Sequence, residues 1–136
     1  MQETWRWFGP DDGITLRHIA QAGAKGVVSA LHEIPAGELW SEEAVHQRKA
    51  MIEAEGLSWS VIESIPVHND IKARTGDFDR MIENYRQSVI NAGKAGVKTI
   101  CYNFMPVVDW TRTNLNYTLA NGSQALRFEM ADFAAY

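Results

Sequence analysis

Polar and aromatic side chains follow each of four short apolar segments that we expect to be strands. A site that presents carboxylates, imidazoles, an amide and a guanidinium suits a small, anionic, hydroxyl-rich molecule, because arginine can hold a carboxylate with two parallel hydrogen bonds. Aromatic rings would add flat apolar walls. The side chains concerned are Phe8 after the first segment, His32 and Glu33 after the second, Glu63, Ser64 and His68 after the third, and Asn103, Asp109, Trp110 and Arg112 after the fourth.

Metal binding and nucleophilic catalysis find weaker support in these residues. Imidazole and carboxylate ligands suit manganese, iron or zinc, but the candidates lack the compact spacing of a metal motif: His32, Glu63, His68 and Asp109. Cys101 falls in a predicted strand, where we interpret it as a small buried hydrophobic residue rather than a nucleophile. His18 and His46 fall inside predicted helices, and we expect both at the surface. The signal for a metal site is therefore weak.

The elements that must position the candidate residues repeat one pattern, an amphipathic helix followed by a glycine and a short apolar strand. The periodicity predicts helices over 15–22, 41–55 and 77–95, which end at Gly23, Gly56 and Gly96. Glycine suits these positions because it accepts the left-handed conformation that a helix exit often needs. Strands are predicted at 5–8, 27–31, 57–63 and 99–104. This alternation implies βαβ units and a parallel sheet.

The last part of the chain departs from that pattern. Asn121 and Gly122 stand between two strand-like segments, which predicts a β-hairpin over about 115–128. Residues 129–136 then resemble the first turns of a helix, and no glycine or cap closes them. We therefore expect the chain to end inside an element.

The strand count limits the architecture to two possibilities. Four βα units cannot close a barrel by themselves, so the sheet is either small and doubly wound or one half of an eight-stranded barrel. No Gly-x-Gly-x-x-Gly follows any strand, which leaves a dinucleotide-binding fold without support. We favour an α/β fold in which residues 1–136 form a single partial domain. It would be the N-terminal half of a (β/α)8 barrel, with four strands, three helices and a hairpin insertion after the fourth strand.

Composition excludes several functional classes. The 136 residues contain 13 Lys and Arg against 17 Asp and Glu, a net charge of −4. This balance predicts no binding to nucleic acid or to an acidic membrane surface. No apolar run approaches the ~20 residues that cross a bilayer. A single cysteine cannot form an internal disulfide, so we expect a reducing, cytoplasmic location.

Five stretches resemble the D-mannonate dehydratase family: TWRWFGP at 4–10, GVVSALH at 26–32, WSVIES at 59–64, CYNFMPVVDWTRT at 101–113 and ALRF at 125–128. The longest of them is the most specific. The resemblance implies a TIM barrel related to xylose isomerase. It also implies a lyase that removes water from D-mannonate to give 2-keto-3-deoxy-D-gluconate in hexuronate (glucuronate) catabolism, with Mn2+ or Fe2+.

Members of that family are far longer, so the resemblance implies that this chain is their N-terminal part. The family's metal-binding His, Cys and Asp motifs then lie outside it, and the catalytic residues stay unknown. The second histidine of the family's usual His-His after strand two is Glu33 here, which weakens a role for that position. We expect contact with the substrate from His32, Glu63, Asn103 and Arg112, and no activity from the isolated chain.

The expected partners are a small sugar acid and further protein. Half a barrel exposes two sheet edges and an apolar inner face, so we expect a homo-oligomer or association with the remainder of the barrel. Two alternatives stay open. The first is a metal-dependent sugar isomerase or epimerase of the same barrel class, and the second is a non-catalytic fragment.

Overall fold

The computed structural model describes residues 1–105 and 110–136, which form two compact units, Met1–Phe104 and Met105–Tyr136. The first unit contains β1 (Thr4–Arg6), α1 (Leu16–Gln21), β2 (Gly26–Ser29), α2 (Glu42–Ala54), β3 (Ser58–Glu63), α3 (Asn69–Ala73), α4 (Phe78–Lys94) and β4 (Ile100–Cys101). The second contains β5 (Asn114–Thr118), β6 (Gln124–Arg127) and α5 (Met130–Ala134). No helix within the described ranges is long and apolar enough to cross a membrane. That residues 1–136 belong to a single partial domain stays a prediction.

The first unit is built on a parallel sheet in the order β1–β2–β3–β4. Trp5 lies beside Val27, Val27 beside Trp59, and Glu63 beside Cys101. Each strand therefore pairs with the next one in the sequence, which confirms the predicted α/β alternation. Because the strands are parallel, their carboxyl ends lie along one edge, where ligands bind in such sheets.

The helices bury one face of this sheet. Val27, Trp59 and Ile62 are buried in a core that also contains these helical side chains: Leu16 and Ile19 of α1, Val45 and Ile52 of α2, and Ala92 of α4. Burying one such aliphatic side chain contributes about 1.5–3 kcal/mol. The core thus fixes the strands against the helices and holds the carboxyl edge in place.

The opposite face of the sheet carries several polar side chains. Side chains alternate between the two faces of a strand, so Thr4 and Arg6 lie opposite the face of Trp5 and Trp7. Gln2 Nε2 donates to Ser58 Oγ at 2.8 Å, and Ser60 Oγ donates to Gln2 Oε1 at 3.1 Å. Polar groups thus contribute to this face beside Val28, which alternates with the buried Val27. That an apolar inner face drives association stays a prediction.

Three details of the first unit differ from the sequence prediction. The short helix α3 was not predicted, and the ladder of β4 includes only Ile100 and Cys101 rather than the whole of 99–104. Ile100 packs against the core, so alternation turns Cys101 to the other face, where it is exposed. The interpretation of Cys101 as a buried residue is therefore wrong.

The second unit contains an antiparallel pair where Asn121 and Gly122 predict a turn. β5 and β6 pair around these residues, with Leu119 N–H donating to Ser123 O at 2.8 Å. Gly122 has a φ of 82°, a conformation that glycine adopts without strain. Asn121 Oδ1 accepts from the Ser123 N–H at 3.0 Å and stabilises the same turn.

Candidate functional site

An ion pair spans the carboxyl edge of the sheet. Arg6 ends β1 and Glu63 ends β3, and Arg6 Nη1 lies 2.8 Å from Glu63 Oε2 across the intervening strand β2. The Arg6 and Glu63 side chains are 33% and 46% exposed, so the pair is accessible from solvent. Among the described residues, no group accepts a hydrogen bond from the buried Nε of Arg6. A buried donor of this kind marks a place where water or a ligand is expected.

His32 lies in the same cluster, beyond the end of β2. The Arg6 guanidinium stands over the Phe8 ring at 5.0 Å, and the Phe8 ring lies 5.7 Å from the His32 ring. Burial lowers the pKa of His32, and the cations of Arg6 and Arg48 lower this pKa further. Its imidazole is therefore neutral near pH 7 and able to accept a hydrogen bond from a hydroxyl group.

Arg48 of α2 lies behind His32 and is fixed by several partners. Its side chain is only 4% exposed. Nη1 donates to Ala30 O at 2.7 Å, and Nη2 donates to both carboxylate oxygens of Glu33 at 2.8 and 2.9 Å. The guanidinium also stands 5.3 Å from the Trp7 ring. These contacts join α2 to the turn that carries His32.

The loop after β1 closes the cluster from the other side. Gly9 has a φ of 101°, and a Cβ there would lie 3.4 Å from Arg48 Nη1 and 3.5 Å from His32 Nδ1. Asp12 holds this loop, because its carboxylate accepts from the Phe8 N–H at 2.9 Å and the Ile14 N–H at 3.0 Å. The bonds from Ile14 and Phe8 lower the pKa of Asp12. The result is a cleft of about 300 Å3, lined by Phe8, Pro10, Asp11, His32, Glu33 and Arg48.

The four predicted substrate contacts do not all belong to this cluster. His32 and Glu63 lie in it, connected through Arg6 and Phe8. Asn103 is half-buried just beyond β4 in the first unit. Arg112 belongs to the second unit, where its guanidinium stands 5.3 Å from the Trp110 ring and Nη1 donates to Thr111 O at 2.9 Å. Their contact with a substrate stays a prediction.

The remaining candidates have other places. His68 caps α3, since its Nδ1 accepts from the Asp70 N–H at 3.1 Å. His18 and His46 are exposed on their helices, as predicted. Asp109 lies outside the described residues. Throughout 1–105 and 110–136, no three His, Cys, Asp or Glu side chains come together as a metal site.

Sequence reasoning missed Arg6 and Arg48. The signal for Arg6 is alternation, because a charged residue between Trp5 and Trp7 must face away from the helices if Trp7 is buried. The signal for Arg48 is its helical spacing from Val45 and Ile52, which places a cation on the buried stripe of α2.

Comparison with known proteins agrees with this fold. The chain matches the family described as D-mannonate dehydratase (UxuA) over residues 1–135. It is 74% identical over 136 residues to the mannonate dehydratase of Saccharophagus degradans, covering 100% of this chain and 34% of the relative. The mannonate dehydratase of Marinomonas sp. is 60% identical over 136 residues, covering 100% of this chain and 35% of the relative.

A solved structure gives the same result. The crystal structure of mannonate dehydratase from Streptococcus suis serotype 2 matches with a TM-score of 0.92 and 44% identity, over 100% of this chain and 39% of that chain. The chain thus spans about a third of the length of the curated relatives it matches. With a family match that runs over nearly its whole length, this chain belongs to the D-mannonate dehydratase family.

Proposed function

We propose that this chain is the N-terminal part of an enzyme that dehydrates D-mannonate to 2-keto-3-deoxy-D-gluconate in hexuronate catabolism. The observation that carries the proposal is the family match over residues 1–135. Relatives at 74% and 60% identity are named mannonate dehydratases, which supports the same hydro-lyase reaction for the full-length protein. The match also favours this reaction over a sugar isomerase or epimerase.

The architecture that we propose is the first half of a (β/α)8 barrel of the xylose-isomerase type. The parallel order β1–β2–β3–β4 supports it, as do helices against one face and polar side chains on the other. The antiparallel pair β5–β6 follows β4 in the chain, and we interpret it as an insertion at that point of the barrel.

The chain's own residues would form one wall of the substrate site. Dehydration of a sugar acid requires removal of a proton beside the carboxylate and departure of a hydroxyl group. Neutral His32 would accept a hydrogen bond from a substrate hydroxyl. Glu63 and the Arg6 guanidinium would position the polar chain of the substrate, with Asn103 and Arg112 as further contacts.

The family resemblance implies Mn2+ or Fe2+, but the described residues do not fit such a site. Glu63 is paired with Arg6, His68 Nδ1 accepts a backbone hydrogen bond, and no three His, Cys, Asp or Glu side chains of the described residues come together. We therefore place the metal ligands of the complete enzyme outside this chain, and we expect the isolated chain to be inactive.

We further propose a cytoplasmic protein that associates through its sheet edges. β1 and β4 are the outer strands of the sheet, and an unpaired strand edge is a template for further pairing. The partner would be the remainder of the barrel, with a homo-oligomer as the assembled state. The small-molecule partner would be the sugar acid.

The test is a product assay on the full-length protein with D-mannonate and added Mn2+ or Fe2+. A dehydratase gives a 2-keto-3-deoxy acid that has lost one water by mass spectrometry, whereas an isomerase or epimerase leaves the mass unchanged. A His32→Gln variant is the matched comparison, since it keeps the fold but removes the imidazole. A product of unchanged mass would refute the proposal in favour of isomerisation.

A further inference from the structure

We propose that Arg48 is the positioning residue of the carboxyl-edge site, which ties the turn that carries His32 to the loop after β1. No proposed substrate contact includes Arg48, and its effect would reach the reaction only through His32. The inference rests on the proposed function insofar as His32 contacts the substrate. The effect of Arg48 on the pKa of His32, however, can be measured without any turnover.

The contacts of Arg48 immobilise both ends of the turn. Nη1 holds the carbonyl of Ala30 at 2.7 Å, before His32, and Nη2 holds Glu33 at 2.8 and 2.9 Å, after it. A planar guanidinium presents these donors in a fixed fork, which a lysine ammonium cannot reproduce. Since α2 is anchored in the core through Val45 and Ile52, the turn takes its position from a rigid element.

The same guanidinium limits the loop after β1. It stands 5.3 Å from the Trp7 ring, and a Cβ at position 9 would lie in van der Waals contact with it, 3.4 Å from Arg48 Nη1, and 3.5 Å from His32 Nδ1. The φ of 101° at Gly9 is what favours glycine at this position. The Arg48 guanidinium and the His32 imidazole therefore both lie close to the loop at Gly9. The His32 ring also lies 5.7 Å from the Phe8 ring of the same loop.

The charge of Arg48 affects the pKa of His32, an effect that packing alone would not produce. The facing charged groups are Arg6 from β1, Arg48 from α2, Asp12 from the loop after β1 and Glu33 from the turn itself. Burial is the largest cause that lowers the pKa of His32; Arg6 and Arg48 lower it further, while Glu33 and Asp12 raise it. Loss of the Arg48 cation should therefore raise this pKa, and loss of the Glu33 carboxylate should lower it.

The experiment compares Arg48→Met, Arg48→Lys and Glu33→Gln in the full-length protein. Arg86→Met is the matched control, because Arg86 makes an equivalent two-bond pair with Glu83 at 2.6 and 2.8 Å on the exposed surface of α4. His32 is titrated by NMR in labelled protein, and its signal is assigned by its loss in His32→Gln. Steady-state kinetics on D-mannonate provide the second measurement.

We expect Arg48→Met to raise the pKa of His32, Glu33→Gln to lower it, and Arg86→Met to leave it unchanged. Misplacement of a contact by about 1 Å costs up to ~100-fold in rate, so kcat/KM of Arg48→Met should fall about 10- to 100-fold. Arg48→Lys should keep the His32 pKa near its original value without restoring kcat/KM, because the charge returns but the fork does not.

Equal His32 pKa values in Arg48→Met and Arg86→Met would overturn the proposal. If Arg48→Met does not fold, Glu33→Gln decides, because Glu33 is 58% exposed and the amide keeps an oxygen that can accept from Arg48 Nη2; an unchanged or raised His32 pKa there overturns the proposal. If the full-length protein shows the expected pKa shifts but does not convert D-mannonate, the positioning of His32 is supported. Such a result would refute only the proposed function.

Discussion

Trp40 links the two longest helices, and this link offers a quantitative test of how the site is held. Trp40 is 1% exposed and directly precedes Ser41, the N-cap of α2. Its backbone N–H donates to Ser88 Oγ at 3.0 Å, and its backbone carbonyl accepts from Asn91 Nδ2 at 2.7 Å. Ser88 and Asn91 are buried on the same face of α4. The start of α2 is thereby fixed, and Arg48 follows about two helical turns later.

Removing either side chain should loosen this link by a calculable amount. Ser88→Ala leaves the Trp40 N–H without its acceptor, and Asn91→Ala leaves the carbonyl without its donor. A buried group left without its partner costs about 1–3 kcal/mol. If the segment exchanges through local opening, that cost corresponds to about 5- to 150-fold faster amide exchange. The double variant should fall short of the sum, because both bonds hold the same residue.

Hydrogen exchange of the peptide that contains Trp40, followed by mass spectrometry on the full-length protein, measures this directly. Gln47→Ala is the control, because Gln47 donates to Glu43 on the exposed side of α2, at 3.2 Å. An exposed change of this kind alters stability by less than about 0.5 kcal/mol. If the amides of this peptide exchange no faster in Ser88→Ala and Asn91→Ala than in Gln47→Ala, α4 does not hold the start of α2.

Three further outcomes are expected. In the full-length protein, Arg112→Ala should mainly raise KM for D-mannonate if the arginine holds the substrate carboxylate equally in the ground and transition states; unchanged steady-state kinetics would exclude that contact. Because the pKa of His32 is lowered from 6.5, its contribution to the free energy of unfolding is fully present above about pH 6.5 and is lost as the pH falls towards the folded-state pKa. His32→Gln should remove that pH dependence in denaturation curves. The isolated chain 1–136 should associate in light scattering and should not dehydrate D-mannonate; a monodisperse monomer or measurable turnover would contradict these expectations.

The order of strands and helices was accessible from the sequence because it depends on local signals. The glycines that end α1, α2 and α4 have positive φ values of 90°, 73° and 85° at Gly23, Gly56 and Gly96, as the helix-exit pattern predicted. Helix α3 was not accessible in this way. It has five residues, buries none of them, and ends at Arg74 with a φ of 56°. A helix without an apolar stripe leaves no periodicity to detect.

The site was predicted only in part because two of its cations depend on tertiary structure. Strand ends located His32 and Glu63, since the carboxyl ends of parallel strands meet along one edge. Arg48 was hidden because an arginine is almost never fully buried unless it is paired, and its partners are not visible in the helical spacing of α2. The carbonyl of Ala30 and the carboxylate of Glu33, both outside α2, compensate for the burial of this cation, and they reach it only in the folded structure.

Position 33 illustrates how a departure from a family pattern can still take part in a site. The resemblance places a histidine there, so its replacement by Glu33 weakened the expectation of any role. In the structure the carboxylate supplies both oxygens to a buried guanidinium, which would otherwise keep one carbonyl partner and no counter-charge. A neutral residue at position 33 would leave that cation uncompensated beside His32 and lower the imidazole's pKa. Glu33 therefore acts on the edge of the sheet through Arg48.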